Sequence, residues 1–209
     1  RGSEINGGVG GKASGPISFM ETWNTMGAVV VQGGRRRAAL MGMLYDDHPD
    51  ILDFIRCKEE EGKFPYFNIS VCLSDTLIRA AGAGEEFALR SRKDGSVVRT
   101  IPAAELMTAI CESAWKRGDP GVFFIDRANA DNLLKMGPEW RIESTNPCGE
   151  QPLPNYTSCN LGSVNADAFV GAGFDAAAFE NQVFRSMYYL DLVIDACSYP
   201  LPRIEDRTK

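Results

Sequence analysis

Tyr66-Phe67-Asn68-Ile69-Ser70-Val71-Cys72-Leu73 is rich in β-branched and aromatic side chains, the composition of a buried strand. Two more short apolar runs flank it at a distance: Ala39-Leu40-Met41-Gly42-Met43-Leu44-Tyr45 before it and Gly121-Val122-Phe123-Phe124-Ile125-Asp126 after it. Helical patterns fill the gaps. Ser14-Gly15-Pro16 opens an amphipathic helix over Ile17 to Val31, with Ser14 as N-cap, and Gln32-Gly33-Gly34 ends it. His48-Pro49-Asp50 starts a short helix through about Cys57, Asp75 is placed to cap the helix after the central strand, and Pro102 starts another through about Arg117. Phe87 to Ile101 predicts a surface hairpin turning at Asp94-Gly95. A long helix over Phe174 to Cys197, with Val183, Met187, Leu190 and Ile194 on one face, completes the pattern. Strands alternating with helices define an α/β fold.

Composition narrows the function. With 209 residues and 44% hydrophobic content, the chain can bury one substantial core and is not a disordered segment. A net charge of −6 argues against general nucleic-acid binding, because phosphate neutralisation needs clustered cations and Arg35-Arg36-Arg37 is the one tight basic cluster. No apolar run approaches the roughly 18 residues that span a bilayer, and no signal peptide is visible, so the expected location is the cytoplasm, away from membranes. The six cysteines form no CxxC pair, which leaves a structural zinc site without support; no metal ligands are expected. Arg1 in place of Met, and a charged end at Glu205 to Lys209, read as cuts in a longer polypeptide.

Several motifs are weak on inspection. Gly7-Gly8-Val9-Gly10-Gly11-Lys12 misses a phosphate loop, which needs Gly where Asn6 stands and Ser or Thr where Ala13 stands. Gln32-Gly33-Gly34-Arg35-Arg36-Arg37 is either a solvated turn or a nucleotide contact, since paired glycines admit a ligand close to the backbone and Arg binds phosphate bidentately. His48, the single histidine, reads as a capping or core residue, and Ser-His-Asp hydrolysis is disfavoured. Cys57, Cys72, Cys111 and Cys197 fall in helix or strand patterns and read as inert buried thiols; Asp126 and Asn129 read as helix caps. The stretches Asn6 to Ser14 and Met136 to Asn165 are the candidate functional loops. In the second of these, Asn146, Cys148 and Glu150 place a carboxamide, a thiol and a carboxylate within five positions, and Cys159 follows eleven residues after Cys148. That grouping permits a thiol nucleophile or a redox pair, or two ordinary loop thiols.

The wording of this loop goes further. Asn146-Pro147-Cys148-Gly149-Glu150-Gln151-Pro152-Leu153, with Ser158-Cys159-Asn160-Leu161-Gly162-Ser163, resembles the finger-loop signature of the large, catalytic subunit of ribonucleotide reductase. Its Pro-Cys-Gly-Glu-Gln form is most similar to the adenosylcobalamin-dependent class II enzymes. Further segments agree in order: Gly11 to Met20, Gln32 to Arg37, Asp47 to Ile51, Phe67 to Val71 and Tyr199 to Pro202. The resemblance implies part of a ten-stranded α/β barrel spanning 1–209, with an allosteric loop region at 6–38, a small hairpin insertion at 86–101 and a finger loop at 140–163. It also implies roles. Cys148 carries a thiyl radical formed through adenosylcobalamin, Glu150 is the general base, Asn146 hydrogen-bonds the ribose, and Cys159 is a redox thiol whose partner has no match in this chain. Substrate or effector contacts fall to Ser14, Gly15, Gln32, Gly33, Gly34, Arg35, Arg36 and Arg37. Ala38 departs from the family, which usually has Gly there.

The implied partners are a ribonucleoside di- or triphosphate, a deoxynucleotide or ATP effector, a thioredoxin-type reductant and, in the intact enzyme, a second copy in a homodimer. The 209-residue stretch alone is expected to lack reductase activity. Three other readings stand beside this one: a class I catalytic subunit with a separate radical-generating subunit, a non-catalytic nucleotide-binding module of the same fold, and a thiol-disulfide protein using Cys148 and Cys159.

Overall fold

The computed structural model describes residues 11–30, 37–134 and 136–209. The chain divides into two compact units, Arg1–Pro152 and Leu153–Lys209. The first holds the sheet: α1 (Pro16–Val29), β1 (Leu40–Tyr45), α2 (Ile51–Arg56), β2 (Phe67–Leu73), α3 (Asp75–Ala83), β3 (Glu86–Arg90), β4 (Val97–Pro102), α4 (Ala103–Arg117), β5 (Gly121–Phe124), α5 (Ile125–Ala130) and β6 (Ile142–Thr145). The second holds α6 (Ala176–Ala196) and α7 (Pro202–Thr208).

β1, β2 and β5 form a parallel sheet with β2 in the centre. The alternation along β2 sorts its side chains. Phe67, Ile69, Val71 and Leu73 join the main core, and Cys72 joins a second cluster with Ile125 and Ile142. Helices cover the main-core side through apolar positions one turn apart: Ile51, Phe54 and Ile55 on α2, and Ala103, Leu106, Ala109 and Ile110 on α4. The sheet is open. Three strands do not close a barrel, and no closed barrel forms among the described residues.

Local chemistry moved several expected boundaries. Ser14 stands one residue too early to cap α1: Gly15 is the N-cap at φ 93°, and the Ser14 hydroxyl accepts from Ser18 instead. Ser74, not Asp75, caps α3, its hydroxyl accepting from Leu77 N at 3.1 Å. The carboxylate of Asp46, at the end of β1, then accepts from both Ser74 N (2.6 Å) and Ser74 Oγ (2.8 Å), and Asp126 accepts from Asp75 N (2.9 Å). Two acidic side chains thus occupy the positive end of α3. The third apolar run splits, because Ile125 starts α5 directly after β5 and Asp126 is drawn onto that cap.

The expected hairpin is present, with two corrections. Phe87, Leu89 and Ile101 are buried in the main core, so one of its faces is interior rather than surface. Its end is a wider loop than an Asp94-Gly95 turn: Ser91 N donates to Ser96 O at 2.9 Å, enclosing four residues, because a bulge beside Arg90 shifts the register.

His48 does not cap α2, whose N-cap is Asp50 with no side-chain cap hydrogen bond; its ring instead closes the turn that leads into the helix. Its Nδ1 accepts from Asp50 N at 3.0 Å, just ahead of α2, and burial holds the imidazole below its ordinary value of 6.5. Protonation would remove that acceptor. The folded chain therefore binds this proton more weakly than the unfolded chain does, so its contribution to stability is complete above pH 6.5 and is lost as pH falls through that value toward the lower folded one. Urea midpoints should drop between about pH 7 and 5, and His48→Asn, which keeps a side-chain acceptor, should flatten that slope.

In the second unit, Asp175 caps α6 by accepting from Ala178 N at 3.0 Å, so the helix begins two residues after Phe174. Phe169 and Phe174 pack on Phe179 with ring centroids 5.4 and 5.2 Å apart. The inward face is Phe179, Ser186, Leu190, Val193 and Ile194, so of the expected stripe Leu190 and Ile194 are half-buried while Val183 and Met187 are exposed. Asn160 ties the preceding segment to α6 by donating to Leu190 O at 2.8 Å. Arg203 stacks 3.9 Å from the Tyr156 ring centre. No helix among the described residues is long and apolar enough to cross a membrane.

Candidate active site

The route to Cys148 begins at Asn129. Its side-chain Oδ1 accepts from Ile142 N (2.9 Å) while Nδ2 donates to Ile142 O (3.0 Å) and Ile125 O (2.9 Å), so one amide acts as a strand partner for β6. Ile142 is buried beside Cys72, with Met43 and Tyr45 packed against the cluster. Two residues on, Ser144 Oγ lies 3.4 Å from Met43 Sδ, and Thr145 is buried. Beyond them Pro147 O accepts from Asn68 Nδ2 at 2.5 Å. The register pairs Met41 with Asn68, Met43 with Ser70 and Tyr45 with Cys72. Hence the chain from Ile142 to Pro147 crosses the sheet from the carboxyl ends of β1 and β2 to their amino ends.

There it turns sharply. Gly149 N donates to Asn146 O at 3.0 Å, closing a four-residue turn with Pro147 and Cys148 as its central pair. Asn146 N donates to Gln151 O (3.3 Å), and Gln151 N donates to Asn146 Oδ1 (3.0 Å). Gly149 adopts φ 85°, which favours glycine, and a Cβ built there would meet nothing within 4 Å. Cys148 and Glu150 are both exposed on either side of that open position. Asn146 is half-buried, with its side-chain oxygen committed to the turn and its amide nitrogen left to donate.

The expectation of one irregular loop over Met136 to Asn165 is corrected here. A short 3-10 helix (Pro138–Trp140), β6, the turn and a three-residue strand (Pro152–Pro154) divide it, because Ile142 and Thr145 are buried anchors. The 140–163 stretch is therefore not one finger loop in this structure. Cys159 lies in the second unit and is exposed. Gln32, Gly33, Gly34, Arg35 and Arg36 fall outside the described residues; Arg37 is exposed three residues before β1, at the same end of the sheet as the turn. Ser14 and Gly15 precede α1.

Of the four thiols expected to be inert and buried, two are not. Cys111 and Cys197 are exposed because they lie on outward faces of α4 and at the end of α6. Cys72 is buried and its thiol is pushed up to about 12, and Cys57, half-buried, to about 11, both mainly by desolvation. Asn129, expected as a helix cap, instead holds β6, and the contacts of Asn68 and Asp46 were not anticipated. Asn68 carried a signal, since Asn is depleted in strands.

Architecture and turn together describe a thiol-bearing site on an α/β sheet, and the chain matches the family model for the ribonucleotide reductase barrel domain over residues 1–209. It belongs to that family. It is similar to the vitamin B12-dependent ribonucleoside-diphosphate reductase of Mycobacterium tuberculosis (strain CDC 1551 / Oshkosh), 42% identical over 203 residues that cover 96% of this chain and 29% of that protein. The reductase of the same name from Thermoplasma acidophilum is 41% identical over 209 residues, covering 99% of this chain and 27% of that protein. The vitamin B12-dependent ribonucleotide reductase of Streptomyces coelicolor is 35% identical over 230 residues, covering 96% and 24%. The chain thus spans less than a third of the length of these relatives.

Proposed function

We propose that this chain is the radical-bearing part of a cobalamin-dependent ribonucleotide reductase, converting ribonucleotides to 2′-deoxyribonucleotides for DNA synthesis. The observation that carries the reading is the turn itself, which exposes Cys148 at its apex with Glu150 two residues on and an amide donor on Asn146. In the longer protein the three parallel strands belong to a ten-stranded barrel, with the Cys148 turn as the tip of a finger loop, residues 6–38 as the allosteric loop region and residues 86–101 as a small insertion. The names of the relatives support cobalamin over a separate radical-generating subunit.

The donor set fits such chemistry, since the turn presents a free thiol at Cys148 beside the carboxylate of Glu150. Adenosylcobalamin, when bound, supplies the radical. Cys148 then carries it as a thiyl, takes the ribose 3′-hydrogen as its S–H bond forms, and returns a hydrogen to that carbon at the end. Glu150 takes the 3′-hydroxyl proton, which eases departure of the 2′-hydroxyl as water, the proton that completes that water coming from one of the two reducing thiols. Asn146 donates to the ribose and holds it in register. Cys159 and a second thiol supply two electrons and end as a disulfide, which a thioredoxin-type reductant reopens. Ser14, Gly15 and Gln32 to Arg37 contact substrate or a deoxynucleotide or ATP effector, in a cytoplasmic homodimer.

Ribonucleotide reduction by the full-length enzyme, assayed with and without adenosylcobalamin, tests this. Turnover should require the cofactor. Equal turnover without it would refute the cobalamin assignment.

A further inference from the structure

We propose that Asn68 is a positioning residue that sets the orientation of Cys148; this rests on the reading of Cys148 as the radical carrier. Asn68 Nδ2 donates to Pro147 O at 2.5 Å across a sequence separation of 79 residues. That oxygen belongs to the peptide unit joining Pro147 to Cys148. Because the unit is planar, holding its oxygen also places the nitrogen and Cα of Cys148, and the Gly149 N–Asn146 O bond then limits the backbone rotation from which the thiol projects.

Among the described residues the other hydrogen bonds of the turn are Gly149 N to Asn146 O, Asn146 N to Gln151 O, Gln151 N to Asn146 Oδ1, and Thr145 Oγ1 to Asn146 O at 2.9 Å. They fix its shape, and none of them reaches the central strand β2. Pro147 has no N–H, so its carbonyl is the backbone handle available at that position. Upstream, Ile142 is anchored beside Cys72 and Ser144 beside Met43; Asn68 is the last tie before the apex. Asn68 itself is exposed on a strand whose alternate residues Phe67, Ile69 and Val71 are buried. An exposed strand position favours a β-branched side chain, and Asn brings a donor in its place.

The test uses the full-length enzyme with Asn68→Asp, which keeps the shape and turns the donor into an acceptor facing the carbonyl, and with Asn68→Ala. Both should lower kcat tenfold or more while KM for the ribonucleotide stays within about twofold, since small misplacement of a reacting group is costly. In hydrogen exchange, the Gly149 and Gln151 amides should lose protection while those of Ile69 and Val71 keep theirs. Unchanged kcat with unchanged exchange in the turn would overturn the proposal, as would protection lost evenly along β2, which marks a plain strand role. Cys148→Ser separates the two claims: retained turnover there sinks the radical reading, whereas the exchange result still decides whether Asn68 holds the turn.

Discussion

Cys148→Ser in the full-length enzyme should abolish deoxyribonucleotide formation, a loss of more than about a thousandfold, the scale on which removing an essential reactive group acts. Serine has nearly the same size and Cys148 is exposed at the apex of a turn held by backbone bonds from Gly149 and Asn146, so the fold should be untouched. The difference is chemical. A sulfur radical can take a ribose hydrogen because S–H and activated C–H bonds are of similar strength, whereas the stronger O–H bond keeps serine from ever carrying the radical. Nucleotide affinity, read by equilibrium binding, should stay within about twofold, since the loss falls on the reacting state and not on the bound ground state.

Phe54→Ala should be the most damaging change to the scaffold. Phe54 is 1% exposed on α2, inside the cluster that joins Phe67, Ile69 and Val71 of the central strand to Leu106 and Ile110 of α4. Truncating a buried Phe costs about 3–5 kcal/mol, a large share of the roughly 5–15 kcal/mol that holds a domain together. The urea midpoint of the 209-residue chain should fall accordingly. A shift equivalent to less than about 1 kcal/mol would show that this cluster does not hold the sheet and helices together.

The α/β pattern was legible because the β-branched and aromatic run Tyr66 to Leu73 and the helix starts at His48-Pro49-Asp50 and Pro102 are local signals that tertiary packing reinforces. Capping failed where two candidates were adjacent. Ser74 and Asp75 both suit an N-cap, and the choice depends on Asp46, just past β1, and Asp126, at the start of α5, arriving from distant parts of the chain. The hairpin's buried face depended in the same way on which core it meets, which alternation alone does not say. For the candidate site, Cys148, Glu150, Asn146 and Cys159 were singled out by their order in a motif. What anchors the Cys148 turn was not legible, because Asn129 and Asn68 bond residues 13 and 79 positions away. Such contacts exist only once the sheet has formed.

The central claim is that Cys148 takes the 3′-hydrogen of a ribonucleotide. A competitive isotope effect measures it most directly, with full-length enzyme consuming a mixture of 3′-protio and 3′-deuterio ribonucleotide in the presence of adenosylcobalamin. The protio form should be consumed faster. Equal consumption of both forms, in enzyme that is turning over, would contradict it.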